Sequence, residues 1–266
     1  MVVRNNSKKV EEALVVRHRQ EPEPLPEGAL GGSVSMSRAL AQSAHGLTLN
    51  EARVMMLATR CIDSRKSPYA YARDGYVKVR VTADEFAQMA EMAGEDGRTP
   101  TAAYEGLKAA CDKLFERRAN WREGKLQIKL AWVWKATYHD GEGWAEVCFS
   151  PDMTPHLFML GSKFVRYRLE MARGLRSTYS VNLLRLLMTQ KDTGFLAITL
   201  EDFKHAMEVP TSYRYADIKR YAILPPIKEL AEKADLLIQF TEVKKGRSVG
   251  SLRFNFISDP QGRLDV

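Results

Sequence analysis

One succession of elements runs through this chain twice. The first copy opens with LTLNEARVMMLATRCID, apolar at Val54, Leu57, Ala58 and Cys61, a spacing that predicts a helix. The alternation in YVKVRV, through Tyr76, Val77, Val79 and Val81, predicts a short strand. Thr82 and Glu85 then form the start of a helix, DEFAQMAEMA, because a Thr followed three residues later by Glu satisfies two orphan backbone N–H groups of a first turn. A third helix is expected over TAAYEGLKAACDKLFERR. Two strands, LQIKLAWVWKATY and GWAEVCFS, close the copy through the hairpin signal His139-Asp140-Gly141-Glu142-Gly143.

The second copy repeats that order. SVNLLRLLMTQ reads as a helix and FLAIT as a strand. Thr199-Leu200-Glu201-Asp202-Phe203 matches Thr82-Ala83-Asp84-Glu85-Phe86: Thr, an acid three residues on, Phe four on. The helix it opens, EDFKHAME, breaks at Val209-Pro210. YADIKRYAILPPIKELAEKA follows as a helix that Pro225-Pro226 kinks or restarts, its second part packing inward through Ile227, Leu230 and Ala231. LLIQFTEVK and VGSLRFNFI, joined by Lys244-Lys245-Gly246-Arg247-Ser248, supply the last two strands.

Helix, strand, helix, helix, strand, strand is the order of a winged helix, a helix-turn-helix with a β-hairpin wing. The expected fold class is therefore α+β, as two tandem winged-helix domains. The expected division is a flexible arm over 1–32, rich in charge, Pro and Gly, then domains over 33–155 and 156–258, and a tail over 259–266. The arm suits either a disordered end of no specific role or a partner-binding segment. Between the copies, PHLFMLGSKFVRYRLEMARGL reads as a connecting strand or helix with an interleaved cationic face.

Charge points to the partner. The chain carries a formal net charge of +7, and residues 161–257 alone hold 17 Lys and Arg against 10 Asp and Glu, an excess equal to that of the whole chain. A basic surface attracts polyanions, because each cation set against a phosphate releases a condensed counterion. An anionic membrane surface would attract it too, so charge alone does not choose the partner; the doubled winged-helix order together with the charge asymmetry points to nucleic acid. No 18-residue apolar stretch and no signal-peptide core occur, and three widely spaced cysteines suit a reducing cytoplasm.

The sharpest candidates lie at the start of the last long helix. Arg214, Lys219 and Arg220 fall where the N-terminal end of a recognition helix enters the major groove, and Arg bonds a guanine edge bidentately. Tyr213, Tyr215 and Tyr221 fit core packing, phosphate bonding or base contact equally. Lys244, Lys245 and Arg247 at the wing turn suit phosphate positioning, or simply a charged tip that limits aggregation. The first copy offers Thr101, Tyr104, Lys108 and Lys113, with Lys108 on a face suited to phosphate. Arg117 and Arg118, expected at the helix end, suit phosphate or the helix dipole alike. Lys163, Arg166 and Arg168 alternate with Phe164, Val165 and Tyr167 and suit a phosphate track between the domains.

Catalytic and metal signatures are missing. Ala119 stands where a P-loop ending in Gly124-Lys125 needs its first glycine. The five histidines form no HxH and no HExxH, and the three cysteines, Cys61, Cys111 and Cys148, form no CxxC. GxSxG is absent as well. A non-enzyme without cofactor or metal is expected.

The second copy goes beyond a generic winged helix. Thr178-Tyr179-Ser180, Tyr213, Asp217-Ile218-Lys219-Arg220, Ile227-Lys228-Glu229 and Lys244-Lys245-Gly246-Arg247 together resemble the C-terminal winged helix of iteron-type plasmid replication initiators. The likeness spans roughly residues 36–257, closely in the second copy and in outline in the first, which departs by its SRKSPYAYARDG loop and tryptophan-rich strands. The resemblance implies monomers on repeated origin sites, each winged helix in a successive major groove, with Arg214, Lys219 and Arg220 reading bases and the wing gripping phosphates. It also implies a dimer that represses its own gene, and recruitment of the host initiator and helicase. A winged-helix transcription regulator that fires no origin is the nearest alternative, and a DNA-nicking enzyme a more distant one.

Overall fold

The computed structural model describes residues 30–62, 72–73, 76–92, 101–139, 141–158, 160 and 164–258. Of the expected arm and tail, residues 1–29 and 259–266 lie outside these, as does Lys163.

Strand β1 (Ser33–Ser37) leads into α1 (Arg38–Gln42) and α2 (Leu49–Arg60). Strands β2 (Ala72–Arg73) and β3 (Tyr76–Thr82) follow, then α3 (Ala83–Ala90) and α4 (Thr101–Leu114). The Thr82 hydroxyl accepts from Glu85 N at 3.1 Å while the Glu85 carboxylate accepts from Thr82 N at 2.9 Å, the reciprocal cap that the sequence announces. Strands β6 (Val133–His139) and β7 (Trp144–Phe149) complete an antiparallel sheet in the order β2-β3-β7-β6. Val79 faces Val147 and Val81 faces Ala145 across it, all buried on the face that meets the helices. Gly106 lets α4 close on α3, since a Cβ there would stand 3.1 Å from the Phe86 ring.

This first unit differs from expectation in its middle. Helix α4 stops at Leu114, and Arg118–Glu123 forms a strand, β4, instead of the helix end. It pairs with β5 (Leu126–Ala131) through a turn at Gly124-Lys125. Ala119 and Trp121 are buried while Arg118 and Arg122 are exposed, the period-two pattern of a half-buried strand. The single long strand expected over LQIKLAWVWKATY is therefore two, β5 and β6, broken at the buried Trp132, whose indole N–H donates to the His45 carbonyl at 3.2 Å.

The segment between the copies is a strand, β8 (Phe164–Arg168), followed by a 3-10 turn. It pairs antiparallel with β1, so the two-stranded sheet joins residues on either side of 155–156. Val34, Met36, Val165 and Tyr167 turn inward; Phe164, Arg166 and Arg168 stay exposed.

Helix α5 (Thr178–Met188) is buried from Ser180 to its end and packs on α1, α2 and β8. Strand β9 (Phe195–Thr199) and α6 (Leu200–Ala206) follow. A continuous helical run follows: α7 (Tyr215–Asp217), a π-helical segment (Ile218–Ile223) and α8 (Leu224–Ala234). Strands β10 (Leu236–Lys245) and β11 (Ser248–Ser258) form the wing, and the sheet order is β10-β11-β9. Phe203 stacks on Phe254 with ring centroids 5.8 Å apart, fastening α6 to the sheet.

The prolines neither stop nor sharply break the long helix. Pro225 and Pro226 have no N–H to give the carbonyls one turn back, and Leu224 N–H reaches Lys219 O, five residues away, so the chain widens into a π turn just before them. Beyond it, Pro226, Leu230 and Ala234 are buried, whereas Ile227 and Ala231 are only half-buried.

Candidate nucleic-acid interface

The second unit gathers most of the candidate residues on one helix start and one hairpin. Asp217 anchors the turn by accepting from Arg214 N at 3.0 Å, which leaves the Arg214 side chain exposed. Arg220 is exposed as well, its guanidinium 5.4 Å from the Tyr221 ring centroid. Tyr213 is half-buried against the core and lies 5.8 Å from Tyr221, ring to ring.

Lys219 and Tyr215 take a different part. Lys219 Nζ lies 2.7 Å from Glu242 Oε1 on β10. Tyr215 turns its hydroxyl inward toward the same carboxylate; burial and the Glu242 charge push that phenol well above its ordinary value. The hydrogen bond from Lys219, with the Tyr215 hydroxyl nearby, holds the Glu242 carboxyl below the usual carboxylate range. Glu242, which the sequence did not single out, thus ties the helix start to the wing.

The wing turn is tighter than expected. Lys244 and Lys245 are the last residues of β10, a bulge separates Val243 from Lys244, and only Gly246 and Arg247 form the turn. Gly246 sits at φ +66, where a side chain is strained. All three cations, Lys244, Lys245 and Arg247, are exposed.

The residues that the sequence singled out in the first unit offer less to a phosphate. Lys108 is half-buried on α4, with its ammonium 5.5 Å from the Tyr138 ring centroid. The exposed positions of α4 include Glu105, Asp112 and Lys113. Arg117 is occupied by a two-point pair with Glu51, at 2.7 and 3.1 Å. Burial pushes the Glu51 carboxyl up, but its bonds with Arg117 and Thr48 outweigh this and hold it below its ordinary value. Arg118 donates to the Phe115 and Arg117 carbonyls at 2.7 and 2.8 Å, so it serves the chain just past the helix end. At the wing of this unit His139 stacks on Trp144 at 3.5 Å, and the Arg80 guanidinium lies 3.8 Å from the Trp144 centroid.

Arg166 and Arg168 project from β8, with Arg166 Nε donating to Ser35 Oγ at 3.2 Å. They belong to the two-stranded β1-β8 sheet rather than to either wing.

Comparison with known proteins matches these two units in turn. The family model described as "Initiator Replication protein, WH1" matches residues 33–188, and that described as "Initiator Rep protein, WH2" matches residues 199–256. An uncharacterized 27.6 kDa protein of Escherichia coli is 22% identical over 230 residues, covering 82% of this chain and 93% of that one. Among solved structures, the Pi initiator protein in complex with iteron DNA superposes with a TM-score of 0.71 at 21% identity, over 88% of this chain and all of that one. At that identity the likeness speaks for the fold, two winged helices in tandem.

Proposed function

The chain belongs to the family of initiator replication proteins, built from two winged-helix units, and we propose that it starts replication by binding repeated double-stranded sites, iterons, at a plasmid origin. The exposed cationic helix start of the second unit, set beside its cationic wing, carries this proposal. Arg214 and Arg220 read base edges in the major groove, where a guanidinium matches the two acceptors of guanine. Lys244, Lys245 and Arg247 hold phosphates and fix the register of the helix. Lys219 contributes less to base contact than its position suggests, because Glu242 holds its ammonium. The first unit and the β8 arginines, Arg166 and Arg168, make backbone contacts. Lys108 lies on the first unit's helix, and Lys163 extends the β8 row in sequence.

The protein acts by binding and not by catalysis, with no metal or cofactor. His45 is buried and neutral, with Nε2–H donating to the Leu40 carbonyl at 2.9 Å, and the His156 ring is engaged by the Ser37 hydroxyl at 2.8 Å. Both serve packing. A second copy of the chain, the host initiator and the host helicase are its protein partners, and its place is the cytoplasm. No helix among the described residues is long and apolar enough to cross a membrane.

The test is a DNase footprint on the DNA flanking the protein's own gene, at moderate salt with excess competitor. Several evenly spaced protected repeats are expected. A single inverted repeat at the promoter, with nothing else protected, would replace the initiator reading with that of a transcription regulator.

A further inference from the structure

The two copies end their second helices in the same unusual way. Glu91 stands nine residues after Thr82, and Glu208 nine residues after Thr199. Both adopt left-handed backbone, at φ 52 and φ 55. The hydrogen bonds around them match one for one. Glu91 N donates to Gln88 O and Met92 N to Ala87 O; Glu208 N donates to His205 O and Val209 N to Lys204 O. This is the helix stop that glycine normally fills, since a side chain in that conformation is strained. Neither copy uses glycine.

What each glutamate does explains the choice. Glu208 reaches from the second unit into the first, where its two carboxylate oxygens accept from His45 N at 2.8 Å and Gly46 N at 3.0 Å. Glu91 reaches the other way, from the first unit to Lys233 on α8, at 2.6 Å. The Glu91 carboxylate lies against Gly174, whose N–H donates to Met89 O at 3.0 Å, so it rests on the chain between the units. Beside the Glu208 contact, the buried Arg185 guanidinium donates to Ser43 O at 3.1 Å and to Ala206 O at 3.4 Å, one carbonyl from each unit.

We propose that Glu91 and Glu208 are paired positioning residues that lock the angle and distance between the two winged helices, and so set the spacing of the two halves of the DNA site that the protein accepts. Such a lock acts on DNA only where, as proposed above, both units contact one duplex. Two linked binding modules gain affinity only where their geometry permits both to engage, and a preset geometry avoids the cost of ordering them on DNA. One inserted base pair moves one half-site by roughly 3.4 Å and 35° about the helix axis, enough to defeat a locked pair. Asp235 at the end of α8 is left-handed too, at φ 49; Glu91 and Glu208 differ from it in carrying their carboxylates to the other unit.

The experiment compares the wild type with the double variant Glu91→Gly/Glu208→Gly. Glycine relieves the backbone strain at both stops, so the variant keeps its fold while losing both carboxylates; a thermal melt checks this, and Glu91→Gln/Glu208→Gln serves as a second variant. Probes are duplexes carrying the repeat found in the footprint, with none, one or two base pairs inserted at its centre. The wild type is expected to lose about tenfold or more in affinity on a one-pair insertion, and the variants about threefold or less. Variants that keep the full insertion penalty would overturn the lock. A wild type indifferent to insertion would instead overturn the premise that both units engage the duplex, and the lock's role with it.

Discussion

Lys219 Nζ lies 2.7 Å from Glu242 Oε1, so one of the three cations placed in sequence to read a base is fastened to the wing instead. Removing that acid frees the ammonium for DNA and takes a negative charge from the interface. Glu242→Gln is expected to strengthen binding to random duplex and to steepen the salt dependence by about one unit of log–log slope. Anisotropy titrations between low and moderate salt measure both, and an unchanged slope would show that Lys219 already reaches a phosphate.

Arg220 and Lys245 should separate by kind of loss. Arg220→Ala weakens the specific site by about 1–3 kcal/mol while leaving random duplex nearly unaffected. Lys245→Ala weakens both alike and lowers the salt slope by about one unit. Equal losses on specific and random DNA for the two variants would remove Arg220 as a base reader.

Stability should fall in mild acid. Burial, and then the nearby Arg185 charge, hold the His45 imidazole well below its ordinary value, against the raising effect of its bond to Leu40. An unfolded chain takes up that proton near pH 6.5, the folded chain only at lower pH. The stability is therefore complete above about pH 6.5 and is lost as pH falls below it toward the folded value. Urea midpoints measured from pH 7.5 down to 5 are expected to decline, and His45→Gln to flatten the decline. A wild-type midpoint constant over that range would contradict the assignment.

The matched helix starts make a paired prediction. Thr82 Oγ accepts from Glu85 N and Thr199 Oγ from Asp202 N, each at 3.1 Å. Thr82→Ala and Thr199→Ala should each lower the unfolding free energy by about 1 kcal/mol, as loss of an N-cap does, and their effects should add. Denaturant unfolding of the two single variants and the double variant checks this.

The repeat was legible because caps and apolar periods are written in residue types: Thr-x-x-acid-Phe marks α3 and α6, and alternation marks β3. The β4-β5 hairpin was harder, since Arg117 and Arg118 look like a helix end and Gly124-Lys125 drew attention as an incomplete P-loop. The alternation of Ala119 and Trp121 around that glycine was the usable sign. Arg214, Arg220 and the wing cations were visible as charges in the right order and emerge exposed. Glu242 was not, because an acid in a basic strand gains meaning only when register sets it against Lys219. Glu91 and Glu208 were invisible for a different reason: left-handed backbone is signalled by glycine, and here glutamate holds it.

The π turn at Ile218–Ile223 makes the long helix one residue richer than its own windings require. Each residue of a helix turns it by about 100°. Deleting a single residue from this stretch would restore an ordinary spiral while swinging Arg214 and its neighbours about a quarter-turn around the axis relative to Leu230 and Ala234 in the core. A graft of this helix that trims one residue from the π turn would thus keep Arg214 and still turn it to another side of the axis relative to Leu230 and Ala234.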